Sequence, residues 1–308
     1  MPDQFILADD PIALPKGAWA KTERRTLRRG AQPVFSLTQG RQRPYLFPVY
    51  TPGGFAVTSE CPADHPHHNS FWIASDHVDC WMPAADGRTE QYTYNFYVDE
   101  TFQGRAPGRI VQVEARGEAV SRDGFRVRQT MEWRGPIEWA APEGRLAARE
   151  RRVTTLKLVD SAYVIDVEST LSAADWDLSL GPTRHAYFNL RVAESIAVTS
   201  GGKVVDDRGG SGGGAVSGPG ARWVHYSGPV GGGNWAGMAL FPDPRYHRDP
   251  FWFVSDWGVM TVGPFRLEQR HVKQGESMTL RYRVIVHDGK LDQAAVASHY
   301  GTFVAGLG

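Results

Sequence analysis

Residues 110–133 read IVQVEARGEAVSRDGFRVRQTMEW. Ile110–Ala119 and Phe125–Trp133 alternate apolar with polar residues, the period of a half-buried strand, around the turn sequence Arg122-Asp123-Gly124. The device recurs along the chain. Val153–Leu158 and Tyr163–Leu171 flank Asp160-Ser161, and Met278–His287 sets Leu280, Tyr282, Val284 and Val286 against Arg281 and Arg283 before closing on Asp288-Gly289. Glycines and prolines punctuate the chain at roughly ten-residue intervals, as in sandwiches and jelly rolls. Only the tail Leu291–Tyr300 reads as a helix. The pattern predicts an all-β protein, a large antiparallel β-sandwich with few helices.

Composition narrows the function. At 308 residues and 41% hydrophobic, the chain can bury a sizeable core. Its 34 basic and 34 acidic residues cancel, so it lacks the electrostatic footprint of a nucleic-acid binder. No apolar run approaches the ~20 residues of a membrane span, and the start, Met1-Pro2-Asp3-Gln4, is unlike a signal peptide. Two cysteines, Cys61 and Cys80, are too few for a disulfide scaffold. A cytoplasmic protein is expected. The run Gly209–Gly220 (GGSGGGAVSGPG) has the composition of a flexible coil, but strand-like sequence resumes at Arg222-Trp223-Val224-His225-Tyr226. Residues 1–308 are therefore expected as a single β-sandwich domain with a flexible loop at 209–220. The basic stretch from Lys21 to Arg29 reads as a solvated face.

Chemistry concentrates in Cys61–Trp72 (CPADHPHHNSFW), where His65, His67 and His68 adjoin Asp64. Pro66 biases His65 towards an extended backbone, which places the cluster on a loop or strand end. Imidazoles exchange protons near neutral pH, and a neighbouring carboxylate can fix their tautomer. They also ligate metals, and the bland alternative is local packing. A second segment, Pro182–Leu190 (PTRHAYFNL), would put His185, Tyr187 and Asn189 on one strand face, either a polar pocket or a solvent face. In Phe251–Gly258 (FWFVSDWG), Trp252 and Trp257 are either sugar-stacking rings or core. Asp76-His77-Val78-Asp79, one strand's length further on, could extend the first cluster but reads better as a polar turn. No dinucleotide fingerprint, phosphate loop, Gly-x-Ser-x-Gly elbow or H-E-x-x-H helix is present.

At these residues the chain resembles a known family. Tyr45–Trp72 (YLFPVYTPGGFAVTSECPADHPHHNSFW), the His185 strand, Ala221–Gly228 (ARWVHYSG) and Leu280–Gly289 (LRYRVIVHDG) look like a bacterial β-sandwich family often labelled "methane oxygenase PmoA-like". The resemblance runs from about Tyr45 onward, and D-H-P-H-H-x-S-x-W is its most specific element. The departures are the Gly-rich run before Ala221 and Phe253, where a polar, histidine-like residue is expected. More widely, Arg184–Leu190 (RHAYFNL) is similar to the N-H-x-Y-F-N-L strand of aldose 1-epimerases, the galactose-mutarotase-like supersandwich, with Arg184 in place of the usual Asn. Leu267-Glu268-Gln269 looks like their L-E-x-Q segment. That resemblance implies His185 as acid and Glu268 as base on a sugar.

Three functions follow as expectations. The first is a carbohydrate-active lyase, hydrolase or epimerase, with His65, His67, His68, His185 and Glu268 catalytic. Asp64, Asn69, Trp72, Arg184, Tyr187, Asn189, Trp252 and Trp257 would then bind substrate. The second is a carbohydrate-binding protein without turnover, and the third a metal-dependent oxygenase. No cofactor is required by the sequence; a divalent metal, if one binds, would be held by His65, His67, His68 and Asp64. The expected partner is a small-molecule carbohydrate, with neither nucleic acid nor membrane.

Overall fold

A computed structural model describes residues 4–9, 23–139, 141–290 and 292–307. Met1–Asp3, Lys21 and Leu291, on which expectations above fall, lie outside the described residues. The described chain is all-β in architecture. A nine-stranded sheet runs in the order Phe5–Asp9, Glu23–Arg29, Gln32–Gln39, Pro44–Val49, Phe71–Ser75, Ala186–Arg191, Val259–Gly263, Phe251–Val254, Gly218–Pro219. An eight-stranded sheet faces it, in the order Lys203–Asp206, Val224–Gly231, Asn234–Pro242, Ser277–Asp288, Ala162–Ala173, Leu146–Val159, Gly124–Arg134, Arg109–Ser121. A third, five-stranded sheet holds Arg270–Val272, Asp177–Leu180, Val78–Pro83, Thr89–Asn95 and Ala106–Pro107. Among the described strands only the last pairing, Thr89–Asn95 with Ala106–Pro107, is parallel.

The alternation read from sequence forms the long hairpins. Arg109–Ser121 pairs with Gly124–Arg134, and Leu146–Val159 pairs with Ala162–Ala173, each antiparallel. Alternate residues of these strands point inward. Phe188 of the nine-stranded sheet stacks on Tyr282 of the eight-stranded sheet at 4.6 Å, and Trp133 lies parallel to Tyr187 at 6.3 Å. One apolar cluster draws on all three sheets, from Phe5 to Val286. The tail helix spans Gln293–Ala305, five residues further than the sequence reading, and is capped by Asp292, whose Oδ1 accepts from the Ala295 N–H at 2.8 Å. Val296 and Phe303 cover Ala162, Val164, Phe241 and Ile285 on the outer face of the eight-stranded sheet.

Two stretches carry more structure than their composition suggests. From Glu23 the basic stretch forms an interior strand with Thr26 and Leu27 buried. Within residues 209–220, Gly213–Val216 forms a short helix and Gly218–Pro219 pairs with Phe251–Val254. Gly213 donates to Asp256 Oδ1 at 2.7 Å, and a Cβ there would come within 2.8 Å of the Ser255–Asp256 backbone, so only glycine fits this approach. No described helix is long and apolar enough to cross a membrane.

The nine-stranded sheet has a second buried face. Phe71 and Ile73 enter the main core, whereas the intervening Trp72 and Ala74 join Tyr45, Tyr97, Val98 and Val259 on the other side. The histidines gather on that side.

Candidate functional site

The loop between Glu60 and Phe71 is closed on itself. Cys61 N–H donates to His68 O at 2.9 Å, His65 N–H to Pro62 O at 3.0 Å and His68 N–H to His65 O at 2.9 Å. Cys61 and Ser70, at its two ends, adopt left-handed backbone angles of φ 48° and φ 61°. The turn thus gathers three imidazoles on one side. His65 stacks on Trp257 at 4.2 Å and on His68 at 4.8 Å, while His67 meets His68 edge-on at 4.6 Å. Asp64 receives the Arg191 guanidinium at 3.0 Å on both oxygens and lies 2.9 Å from His65 Nδ1. Arg191 itself sits 4.6 Å over the Trp257 ring. Burial, reinforced by the positive charge of Arg43 and the neighbouring imidazoles, lowers the pKa of His67 to about 4. Burial takes His68 further below the ordinary imidazole range. Both rings are neutral at physiological pH and present one donor and one acceptor each.

His185 reaches the same place from the end of the neighbouring strand. The Tyr97 ring lies 5.0 Å from His185, 5.6 Å from His67 and 6.1 Å from His68, so one tyrosine joins the loop to the strand. His185 Nδ1 is 2.9 Å from Oδ2 of Asp76, a carboxylate only 1% exposed. Thr183 Oγ1–H donates to the other oxygen of Asp76, and Arg105 donates to Oδ2 at 3.2 Å. Burial pushes the Asp76 carboxyl up, but the bonds from His185 and Thr183 and the Arg105 charge outweigh it and hold it below the usual carboxylate range. An ionised acceptor on one side and Arg184 Nε–H donating to Nε2 at 3.2 Å on the other assign the tautomer: Nδ1 carries the proton. Side chains separated by 109 residues form this pair, and Asp76 belongs to the segment that reads from sequence as a polar turn.

Two cavities flank the cluster. One, of about 310 Å³, is lined by Arg43, Gln42, Tyr45, Cys61, His67 and Asn69 among others. The second, of about 280 Å³, is lined by Thr183, Arg184, Ser217, Phe251, Trp252, Phe253 and Arg266 among others. Buried polar atoms without a protein partner concentrate here: Gln42 Nε2, Arg43 Nε and Nη1, His68 Nδ1, Ser70 Oγ and Trp72 Nε1.

Several candidate residues are engaged in packing or turned to solvent. Tyr187 leaves the face expected for it. Its ring packs against Trp133 and Phe265, and its hydroxyl meets Ser169 Oγ at 2.8 Å, because a buried phenol is best served by an apolar bed with a polar partner at its tip. Asn189 stays on the Trp72 side but is fully buried and satisfied, accepting from Thr261 Oγ1 at 2.8 Å and donating to Tyr187 O at 3.0 Å. Trp252 is 1% exposed and donates to Ala221 O at 2.7 Å, leaving only part of its surface on the second cavity. Glu268 is exposed, and among the described residues its side chain forms no hydrogen bond or ion pair. At Phe253 the ring carries the Arg184 guanidinium 5.0 Å above it. Arg43, Tyr97, Asp76, Arg105, Thr183 and Arg191 are the site residues that sequence reasoning missed; of these only Asp76, in D-H-V-D, and Thr183, in P-T-R-H, lie in segments that the sequence singles out.

Among the described residues no group of three or more His, Cys, Asp or Glu side chains is arranged to hold a metal ion. The rings of His65 and His68 are stacked within 10° of parallel, so their in-plane lone pairs do not converge, and Asp64 is engaged by Arg191. The ligand set His65, His67, His68 and Asp64 is therefore not assembled as a coordination sphere.

Comparison with known proteins adds a family. A model described as "Family of unknown function (DUF6807)" matches residues 24–301. None of the curated proteins matches the chain. Among solved structures, a galactose mutarotase-like protein from Lactobacillus casei ATCC 334 is similar over 92% of this chain and 100% of its own, at 9% identity and a TM-score of 0.40. The galactosidase domain of an alpha-galactosidase-sucrose kinase covers 76% of this chain and 32% of its own, at 7% identity and a TM-score of 0.38. A polysaccharide lyase covers 92% of this chain and 33% of its own, at 10% identity and a TM-score of 0.33.

Proposed function

The chain belongs to the DUF6807 family, and we propose that it acts on a carbohydrate by proton transfer at His185. The observation that carries this reading is the 2.9 Å contact of His185 Nδ1 with the buried Asp76 carboxylate. With the proton held on Nδ1, the Nε2 lone pair is the basic atom, and Asp76 stabilises the imidazolium formed when Nε2 takes a proton. The surroundings suit a sugar. Neutral His67 and Asn69 on a cavity wall can exchange hydrogen bonds with hydroxyls. The likeness of Arg184–Leu190 to the aldose 1-epimerase strand supports the same substrate class.

Of the reactions expected, elimination fits the groups best. Epimerisation through His185 and Glu268 needs a second carboxylate at the reacting centre, and Glu268 is exposed on a turn without contacts to the cluster among the described residues. Elimination needs one base. His185 Nε2 takes the proton next to a carbonyl of the sugar, and the C–H pair becomes the new C=C bond. The β C–O bond breaks, and the departing oxygen takes the proton back from the imidazolium. Arg184, whose Nε–H donates to Nε2 at 3.2 Å, turns away as substrate enters, which frees the lone pair to act as base.

The test is turnover of uronides and keto-glycosides, followed by the ultraviolet absorbance of the unsaturated product. Wild-type protein should form it, and His185→Gln should form it at least roughly a hundredfold more slowly with its circular dichroism unchanged. Binding without turnover by wild-type protein, or a fully active His185→Gln, would overturn the proposal.

A further inference from the structure

The guanidinium of Arg43 is 0% exposed, yet among the described residues no carboxylate pairs with it. Its Nη2 donates to Gln42 Oε1 and to Tyr97 O, and its Nε and Nη1 have no partner among the described residues. Gln42 Nε2, on the same wall of the 310 Å³ cavity, is also unpartnered. The nearby acids are engaged or remote: Asp99 binds Arg41 at 3.0 Å, Glu60 holds Tyr45 and Arg24, and Glu100 is exposed on the rim. A buried cation without a paired counter-charge is costly, and burial, only partly offset by Tyr97, Tyr45, Cys61 and Asp99 nearby, brings the Arg43 pKa down to about 10. Such a group earns its place when a ligand supplies the missing charge.

We infer that the cavity floored by Arg43 and Gln42 is a carboxylate subsite, so that the sugar acted on is an acidic one, a uronic acid or uronide. The inference rests on the carbohydrate reading above and deepens it. A monoanionic carboxylate matches the single uncompensated charge and the free N–H groups of Arg43 and Gln42. The Arg43 guanidinium lies 5.7 Å from the Tyr97 ring, whose other neighbours are His67 and His185. A carboxylate held there keeps the rest of the sugar beside the imidazoles. Neutralising it also makes the adjacent C–H more acidic, which is the proton the proposed elimination removes. The second cavity repeats the theme. Arg184 and Arg266 line it over Phe253 and Phe251, and neither forms an ion pair among the described residues, as an acidic neighbouring sugar unit would require.

The experiment is calorimetric titration of the full chain with glucuronate, galacturonate, glucose, galactose and acetate. The two uronates should bind at least tenfold more tightly than the parent sugars. Arg43→Met should abolish that preference, while Arg43→Lys, which keeps the charge, should retain part of it. Should Arg43→Met fail to fold, the wild-type comparison and Arg43→Lys still decide. Uronates and neutral sugars binding equally would overturn the carboxylate subsite and leave the sugar reading standing. Acetate binding as well as the uronates would support the subsite and overturn the sugar reading. No binding by any of the five would overturn the subsite.

Discussion

The Tyr187 hydroxyl ends a buried chain of hydrogen bonds that runs through Ser169 to Glu150, where Trp133 and Arg152 also donate. Its work is structural. Tyr187→Phe removes one hydrogen bond and leaves Ser169 its bond to Glu150, so urea unfolding should show a loss of about 1 kcal/mol with turnover unchanged. A loss of turnover without a loss of stability would return Tyr187 to the substrate. Its neighbour His185 shows the limit of residue patterns. The sequence motif singles out the imidazole, but its partner Asp76 sits 109 residues away in a segment that reads as a polar turn. Arg43 carries no local signal at all. An arginine in a strand-forming stretch is ordinarily a solvated side chain, and only the folded protein reveals that it is buried and unpaired.

At the scale of elements, what was legible is what obeys a local period. The hairpins on either side of Arg122-Asp123-Gly124 and Asp160-Ser161, and the strand over Met278–His287, stand where alternation places them, because one face of each is buried and a slip would expose it. Elements held by distant partners were not legible. The short helix at Gly213–Val216 is fixed by Asp256, and Gly218–Pro219 by pairing with the strand that starts at Phe251, so a glycine-rich composition conceals ordered structure. The histidine loop is intermediate. Its rigidity follows from Pro62 and Pro66, but the gathering of its rings depends on Trp257 and Tyr97 from far along the chain.

Across the whole molecule, histidines fall into two kinds. His225, His247 and His287 are buried away from the site, and burial lowers His225 to about 3 and His247 to about 4. His225 and His287 share one hydrogen bond between their Nε2 atoms at 2.9 Å, an arrangement that needs at least one neutral ring. His67 and His68 are likewise held neutral. In the unfolded chain each would take up a proton below about pH 6.5. The unfolded state then binds more protons than the folded one, so stability is fully present above pH 6.5 and falls as pH drops towards 4. Each such histidine contributes up to about 1.4 kcal/mol per pH unit. Melting temperatures at pH 7.5 and pH 5 should differ clearly, with the lower value at pH 5; equal values would mean that these rings are not buried as neutral groups. His185, paired with an ionised Asp76, is of the second kind, the one to which we assign the proposed chemistry.

The most direct test of that assignment is the turnover of Asp76→Asn on the sugar substrate, with its melting curve recorded alongside. An amide cannot balance an imidazolium, and its NH2 competes for the position of the Nδ1 proton. The account predicts a folded protein with turnover at least roughly a hundredfold below wild type. A folded Asp76→Asn with full turnover would contradict it.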